Sequence, residues 1–350
     1  TITITITIRE NTMKSVHVTG PDTNEWVEVD RPAPGPRDVL LKMKACGICG
    51  SDAFYSHVGG IPPRQGATPL GHEPAAEVAE VGAEVEGFSV GDHVVIDTMA
   101  FTDGLLGSGG AQGGLSEYVL VKDAVPGRQL RVIPTEIPWE VAALNEPMAV
   151  AYHAVNRTNP KPGDKVVVFG AGPIGLGAVL GYRRRGASHI VVVDIIESRL
   201  EKALQIGADA VINSAEEDVA ARLVELHGDG ATMLVRGTRS GTDIFLDAAG
   251  APVIPKTVGD VAKSGAVLGV VAVHKNPVEL DFGSILTTEL TIVFAMGYPT
   301  EIFEVTDDII ENWQKYALII SDVLPFDRSL EALELAKTPG AADKVVVRFD

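Results

Sequence analysis

The sequence predicts an α/β protein in which a doubly wound parallel sheet is joined to a second domain of shorter strands. Residues 165–194 carry this prediction, because they read as strand, glycine turn, helix and strand. The β-branched runs at 165–169 and 190–193 are typical of buried parallel strands. Strand-like and helix-like segments keep alternating afterwards, and 350 residues are too many for one small core. We therefore expect two domains.

The glycine turn between the two strands has a spacing that suits a dinucleotide. Gly170 allows a tight turn, Gly172 leaves room for backbone to approach a pyrophosphate, and Gly175 lets the helix pack closely. Pro173 and Ile174 open the helix, where free N–H groups face the phosphate charge. The alternative is an ordinary glycine turn in an unrelated α/β unit. The two flanking strands and the acid that follows favour the dinucleotide.

That acid is Asp194, which ends the second strand. At about 20 residues beyond the turn, a carboxylate accepts hydrogen bonds from the adenosine ribose and repels a 2′-phosphate. NAD is therefore favoured over NADP, and residues 195–198 contain no base to attract that phosphate. Arg199 either contacts the adenosine ribose or is a solvated arginine on a helix face, and the pattern leaves both readings open.

A second group of residues has the chemistry of a metal site. Cys46 and Cys49 alone allow a redox pair, half of a zinc site or coincidence, and no thioredoxin-like pattern surrounds them. His72 and Glu73 follow, and a thiolate, an imidazole and a carboxylate suit zinc. Glu146 lies in an otherwise apolar stretch, where a buried carboxylate needs a partner such as a metal. The alternatives are a core histidine for His72 and a glutamate on a helix face for Glu146.

The remaining elements follow from the hydrophobic period along the chain. Further strands are predicted at 39–45, 75–85, 90–97, 117–121, 210–213, 244–248, 266–273, 291–297 and 344–349. Helices are predicted at 137–158, 197–207, 301–318 and 329–337, and a glycine-rich loop at 98–116. Residues 228–243, which include Arg236 and Arg239, are predicted to form a loop, and no motif in them indicates a function.

Composition excludes several classes of protein. The net charge of −18 argues against a nucleic-acid partner and disfavours anionic membranes. Two cysteines give no disulfide framework, and no apolar run is long enough to cross a bilayer. With no signal peptide evident, we expect a cytoplasmic protein.

The first twelve residues differ from the rest. Residues 1–8 alternate Thr and Ile strictly, which is the pattern of a two-faced strand. We expect residues 1–12 to be an extension, with Met13 as a more natural start, or an edge strand that pairs with a partner subunit. Function should not depend on them.

Taken together, these motifs resemble the zinc-dependent medium-chain dehydrogenase/reductase family, and within it the sorbitol and butanediol dehydrogenase branch. The resemblance runs from about Met13 to the end of the chain. It rests on the following residues, besides the glycine turn and its acid: Cys49, Ser51, Asp52, Gly71, His72, Glu73, Gly91, Asp92, Glu146 and Pro147. It implies a GroES-like, partly closed β-barrel catalytic domain from residues 1–155 and 300–350, and a Rossmann NAD-binding domain at 156–299.

The family's motif also implies a role for each site residue. Cys49 and His72 would be zinc ligands, with Glu73 or Glu146 as the third. Ser51 would relay the substrate proton, and Asp52 would orient the ligand histidine. Cys46 would then be a packing residue.

Two departures from the family's pattern change the expected site. Residues 92–121 contain no cysteine where many relatives bind a structural zinc, so we expect one zinc per subunit. Phe54 occupies the position five residues after Cys49 where many relatives carry a histidine, so the proton relay is expected to be shorter.

The activity implied is hydride transfer between NAD and a secondary alcohol, with a polyol or vicinal diol as the small-molecule substrate. Zinc would lower the alcohol pKa. The alternatives are a metal-free quinone or enone reductase and a dinucleotide-binding protein without catalysis. A homodimer or homotetramer is the assembly that the family implies.

Overall fold

The computed structural model describes residues 11–62, 64, 66–232, 238–338 and 340–350. The chain divides into two compact units, which are Thr1–Glu146 with Ile320–Asp350, and Pro147–Ile319. The sequence pattern places the corresponding boundaries at 155/156 and 299/300. Among the described residues, no helix combines the length and apolar character needed to cross a membrane.

Strands and helices alternate along most of the chain. The strands are β1 Thr12–Gly20, β2 Thr23–Asp30, β3 Val39–Gly47, β4 Thr68–Pro69, β5 Glu73–Val81, β6 His93–Ile96, β7 Tyr118–Val121, β8 Leu130–Ile133, β9 Lys165–Phe169, β10 His189–Asp194, β11 Ala210–Asn213, β12 Asp229–Gly230, β13 Arg239–Ser240, β14 Ile244–Asp247, β15 Val267–Val270, β16 Thr291–Phe294, β17 Asp322–Pro325 and β18 Val345–Arg348. The α-helices are α1 Gly50–Val58, α2 Trp139–Ala142, α3 Asn145–Arg157, α4 Pro173–Arg184, α5 Glu197–Ile206, α6 Val219–His227, α7 Val253–Val261, α8 Phe282–Leu286, α9 Glu304–Ala317 and α10 Ser329–Lys337. Short 3₁₀ turns lie at Thr98–Ala100 and Phe326–Arg328.

The unit Pro147–Ile319 contains a six-stranded parallel sheet of order β11-β10-β9-β14-β15-β16. The β-branched runs of β9 and β10 are buried at its centre. Strand order reverses beside β9, since β10 and β11 lie on one side of it and β14 to β16 on the other. The doubly wound parallel sheet predicted from the alternation is therefore confirmed.

The other unit is built mainly on antiparallel strands. One sheet runs β17-β18-β3-β5-β6-β8, with β7 also paired to β3, and β2-β1-β4 form a second sheet. The C-terminal strand β18 pairs antiparallel with β3, and β3 pairs antiparallel with β5. This register brings three distant segments together, because Val346 faces Gly47 and Gly47 faces Glu73.

Several elements differ from the sequence prediction. The single helix expected at 137–158 is two helices, α2 and α3, with residues 143–144 between them. Helices α1, α6, α7 and α8 were not predicted. Gly, Pro or Ser interrupts the patterns of α1, α7 and α8, and α6 is only 9 residues long. Residues 1–10 lie outside the described residues, and so does Arg236 of the loop at 228–243.

Candidate metal centre and dinucleotide site

The candidate metal ligands lie where three elements meet. Strand β3 ends at Gly47, and helix α1 begins after Cys49, which is its N-cap residue. Asp52, in the first turn of α1, accepts a hydrogen bond from the backbone N–H of Cys49 through Oδ2, at 2.9 Å. This contact satisfies an otherwise free donor at the helix start and fixes the Cys49 backbone.

Cys49, His72 and Glu73 form a group that can hold a metal ion. One ligand atom from each residue lies within 4.8 Å of the others. His72 and Glu73 are buried, with 7% and 1% of their surface exposed, and Cys49 is half-buried. A thiolate, an imidazole and a carboxylate that converge in this way form a donor set that fits a divalent cation.

Ser51 and Asp52 approach the two ring nitrogens of His72. The hydroxyl of Ser51 lies 3.2 Å from Nε2, and the Asp52 carboxylate lies 3.5 Å from Nδ1. Burial lowers the pKa of His72, but the charges of Asp52 and Cys49 outweigh it and hold that pKa well above its usual value. An acid on Nδ1 orients the ring so that Nε2 can bind a metal. The Asp52 carboxylate therefore lies beside the ring nitrogen opposite the one that Ser51 approaches.

Lys344 adds a cation that the sequence patterns did not indicate. Its Nζ forms a buried ion pair with Glu73 and donates to the Ile48 carbonyl at 3.1 Å. Burial lowers its pKa, but the charges of Glu73 and Cys49 reverse that effect and raise it. A lysine just before a terminal β-branched run carries no spacing signal, so only the fold shows that it belongs to this cluster.

Glu146 lies near the same cluster at the start of α3. It is buried, and desolvation raises the pKa of its carboxyl, with the Glu73 charge adding to the rise and the His72 charge opposing it. Among the described residues, the group of ligand atoms within 4.8 Å contains Glu73 and does not contain Glu146. Of the two glutamates that the sequence left open, Glu73 has the closer ligand atom.

The residues around the cluster are tightly packed. Cys46 is fully buried, and burial raises the pKa of its thiol, which disfavours the thiolate that a metal needs. The glycine-rich loop packs on the segment that leads to His72. A Cβ on Gly107 would lie 2.0 Å from the Gly71 carbonyl oxygen, and Gly114 donates to that oxygen at 2.7 Å.

The glycine turn of the other unit has the close contacts expected for a dinucleotide site. Gly170 has φ of +99°, which favours glycine. A Cβ on Gly175 would lie 1.8 Å from the Gly170 carbonyl oxygen, so α4 packs directly on the turn. A Cβ on Gly172 would meet nothing within 4 Å, which leaves open space at the start of α4. Pro173 and Ile174 form the first turn of that helix.

Asp194 lies beside the same turn. Its carboxylate accepts hydrogen bonds from the backbone N–H groups of Ala171, Ile195 and Ile196, at 2.6, 2.7 and 3.0 Å. Two carboxylate oxygens have about four acceptor positions, so one remains for a ribose hydroxyl. Arg199 is half-buried in α5.

Asp247 and His274 were not singled out by the sequence patterns. They lie at the carboxyl ends of β14 and β15, where Nε2 of His274 and Oδ2 of Asp247 are 2.8 Å apart. Carboxyl ends of parallel strands are the usual position of ligands in such sheets. The strand-to-loop transition at Asp247 was a signal that could have identified this residue.

Comparison with known proteins identifies both units. Residues 35–128 match the family model described as the alcohol dehydrogenase GroES-like domain, and residues 173–312 match the model described as zinc-binding dehydrogenase. The first match confirms the GroES-like part of the predicted fold, and the second covers most of the Rossmann sheet.

Individual relatives extend over most of the chain. (R,R)-butanediol dehydrogenase of Bacillus subtilis is 33% identical over 77% of this chain and 80% of its own length. L-threonine 3-dehydrogenase of Pyrococcus horikoshii is 31% identical over 92% of this chain and 94% of its own. The crystal structure of 2R,3R-butanediol dehydrogenase from Bacillus subtilis superposes with a TM-score of 0.83, 29% identity and coverage of 96% and 99%. The chain therefore belongs to the zinc-type medium-chain alcohol dehydrogenase family, as its combined motifs predicted.

Proposed function

We propose that this chain is a zinc- and NAD-dependent dehydrogenase of secondary alcohols, with a vicinal diol or polyol as substrate. The observation that carries the proposal is the cluster of Cys49, His72 and Glu73, with the Ser51 hydroxyl 3.2 Å from Nε2 of His72. Metal-free reductases have no use for such a donor set. A protein that only binds dinucleotides needs no serine hydroxyl beside a group of metal ligands.

Cys49, His72 and a carboxylate would hold one zinc ion in the unit Thr1–Glu146 with Ile320–Asp350. We favour Glu73 as that carboxylate because its oxygen lies with the other two ligand atoms, while Glu146 acts as a nearby acid. Residues 92–121 supply no thiolates for a second zinc. A site that needs Cys49 as a reduced thiolate also favours the reducing cytoplasm.

Each remaining residue of the site has a defined part in the proposed reaction. When bound, zinc supplies a Lewis acid for the alcohol oxygen and NAD supplies the hydride acceptor. Ser51 Oγ relays the substrate proton, taking it from the alcohol as its own hydroxyl proton passes to solvent, and Asp52 keeps the His72 ring in its orientation. In the unit Pro147–Ile319, the turn from Gly170 to Gly175 faces the pyrophosphate, and Asp194 binds the adenosine ribose. Arg199 lies in the first turn of the helix after Asp194, where it would border that ribose.

The domain roles follow from these sites. Residues 1–155 and 300–350 would form the catalytic domain, and residues 156–299 the NAD-binding domain. Because a vicinal diol carries a hydroxyl beside the reacting carbon, the substrate would present two oxygens to the site. The butanediol dehydrogenase relative favours a diol, whereas the L-threonine 3-dehydrogenase relative favours a hydroxy amino acid as the second candidate.

We also propose that the protein forms a homodimer through the edge of its parallel sheet. Strand β16 is an edge strand, and the residues around it carry exposed apolar side chains. Phe282, Leu286, Phe294 and Met296 are each at least 68% exposed. An exposed apolar edge invites pairing with a second copy. Met296→Lys should shift the protein to a smaller species in light scattering, and an unchanged mass would contradict the dimer.

The experiment that tests the function combines metal analysis with turnover. Purified protein is measured for zinc, and NADH formation is followed with diols, polyols, simple secondary alcohols and L-threonine. One zinc per chain and turnover of a diol or polyol would support the proposal. Turnover of L-threonine alone would select the second candidate, and retained activity in zinc-free protein would overturn the metal assignment.

A further inference from the structure

A small pocket lies at the carboxyl ends of β14 and β15, within the unit Pro147–Ile319. Its volume is about 220 Å³. Two loops line it, and their contributing residues are Ala249, Gly250, Pro252, Val273, His274, Lys275 and Asn276. None of these residues belongs to the dinucleotide motif formed by the glycine turn and Asp194.

Asp247 holds both loops of this pocket in place. Its carboxylate Oδ1 accepts from the backbone N–H groups of Ala249 and Gly250, at 3.1 and 2.7 Å. Its backbone carbonyl accepts from the N–H groups of Val271 and Ala272. The carboxylate is fully buried, and its other oxygen faces His274. One residue therefore connects the end of β14 with the loop after β15.

The contact with Asp247 determines what His274 can offer a ligand. A carboxylate only accepts, so Nε2 of His274 carries the hydrogen and donates to Oδ2 at 2.8 Å. In the neutral ring this leaves Nδ1 as an acceptor. That atom is buried and has no hydrogen-bond partner among the residues that the structure describes. A native buried acceptor of this kind usually has a partner, which a bound hydroxyl would supply.

The position of the pocket identifies which hydroxyl this would be. Gly170 lies against the loop after β14, since a Cβ there would be 3.0 Å from the Ala249 Cβ. The pocket is thus beside the glycine turn, but across β9 from Asp194 and β10. A dinucleotide spans the point where strand order reverses, with its adenosine half on one side and its nicotinamide half on the other.

We propose that His274, held by Asp247, accepts a hydrogen bond from a ribose hydroxyl in the nicotinamide half of the dinucleotide. This inference rests on the proposed cofactor. It adds a residue that would contact the nicotinamide half of the dinucleotide and not the adenosine half. Lys275, which lines the same pocket, places a cation beside the sugar-phosphate chain.

The test compares ligands that contain successive parts of the cofactor. Dissociation constants for AMP, ADP-ribose and NADH are measured by fluorescence or calorimetric titration of the wild-type protein and of His274→Gln. Glutamine keeps a donor for Asp247 but removes the Nδ1 acceptor. His57→Gln is the control, because His57 is an exposed histidine of the other unit. A second variant, His274→Asn, places an amide near the Nδ1 position, and thermal melting checks that each variant is folded.

We expect His274→Gln to weaken ADP-ribose and NADH by about five- to tenfold and to leave AMP unchanged, because one hydrogen bond is lost. Equal weakening of all three ligands, or no weakening of ADP-ribose, would overturn the role of His274. In either case, binding of NADH to the wild-type protein would still support the proposed cofactor. If the wild-type protein binds none of the three ligands, the proposed cofactor fails and this inference fails with it.

Discussion

Lys344 and Glu73 form a buried ion pair across 271 residues of sequence. The pair exists because β18 lies beside β3 and β3 beside β5, which brings the C-terminal strand against the proposed metal ligands. Lys344 balances the negative charge of Glu73 and Cys49, whose charges raise its pKa. Its positive charge therefore supplies part of the compensation that a metal ion would supply beside Glu73.

Replacing this lysine should separate the role of the ion pair from that of a metal. Lys344→Met leaves Glu73 buried without its partner, which should destabilise the metal-free protein by about 3–5 kcal/mol. With zinc present the loss should shrink, because the ion replaces the missing positive charge beside Glu73 and therefore stabilises the variant more than the wild type. Urea unfolding with chelator and with zinc measures both values.

Lys337→Met is the matched control for that experiment. Lys337 pairs on α10 with Glu334, whose side chain is 68% exposed, and an ion pair with such an exposed partner contributes about 0–1 kcal/mol. Equal destabilisation of Lys344→Met with and without zinc would mean that the metal does not bind beside Glu73.

A second prediction concerns the space that the ion pair fills. A Cβ on Gly47 would lie 2.0 Å from Oε2 of Glu73 and 3.1 Å from Cε of Lys344. Gly47→Ala must therefore displace the Glu73 carboxylate, and we expect zinc affinity and alcohol turnover to fall together by at least about tenfold. Metal titration of the chelated protein measures the affinity. Gly20→Ala, whose Cβ would only touch Thr23 at 4.0 Å, should leave both unchanged.

The parts of this site that the sequence predicted are those with local causes. The turn from Gly170 to Gly175 and the acid Asp194 fall within one strand–helix–strand segment, where spacing along the chain determines spacing in the fold. Cys49 and His72 are further apart, and only their chemistry and the resemblance joined them. Lys344 was missed because its contact with Glu73 depends on strand register, which no short pattern encodes.

The same distinction applies to the secondary structure. Lys165–Phe169 and Ser329–Lys337 match their predicted bounds because their hydrophobic periods are uninterrupted. Helix α1 was missed because Gly50 and Ser51 weaken its helical pattern, while its start is stabilised by the contact of Asp52 with the Cys49 backbone. That contact becomes visible only when the helix is known.

Asp194 provides a test of cofactor preference. Asp194→Ser removes the carboxylate that would repel a 2′-phosphate, so the ratio of kcat/KM for NAD to that for NADP should fall by at least about tenfold. The side chain also accepts from three backbone N–H groups, so some loss with both cofactors is expected. Steady-state kinetics with each cofactor separates the effects, and an equal loss with both would show a structural role alone.

Asp308 anchors a buried network inside the unit Pro147–Ile319. Its carboxylate accepts from Tyr152, Tyr316, Arg184 and Asn312, and thereby connects α3, α4 and α9. Asp308→Asn removes the charge that these donors share, and we expect a destabilisation of about 3–5 kcal/mol. Hydrogen exchange of amides in α9 reports the opening of this unit.

The control for Asp308 uses the same arginine. Glu311 also pairs with Arg184, but its side chain is 62% exposed, so Glu311→Gln should cost about 0–1 kcal/mol. Similar exchange rates in the two variants would show that the buried Asp308 carboxylate stabilises this unit no more than the exposed Glu311 does.

His227 gives a prediction for the dependence of stability on pH. Burial, together with the charges of His189 and Lys165, lowers the pKa of His227 from 6.5 to about 4. Its two ring nitrogens contact Thr242 Oγ1 at 2.8 Å and His189 Nδ1 at 3.0 Å. Between pH 6.5 and pH 4 the unfolded chain binds a proton that the folded chain does not. The free energy of unfolding should therefore decrease as the pH falls through this window, by about 3 kcal/mol from this histidine.

Replacing His227 isolates this contribution. His227→Gln carries no titrating group, so in hydrogen exchange of β9 and β14 amides the loss of protection between pH 6.5 and pH 4 should become smaller. His17, whose pKa burial also lowers to about 4, lies in the other unit and leaves its own dependence there unchanged. His57→Gln, at an exposed position, should retain the full wild-type dependence. If His227→Gln retains it as well, the buried histidine titrates in the folded state as it does in the unfolded chain, and the predicted linkage is wrong.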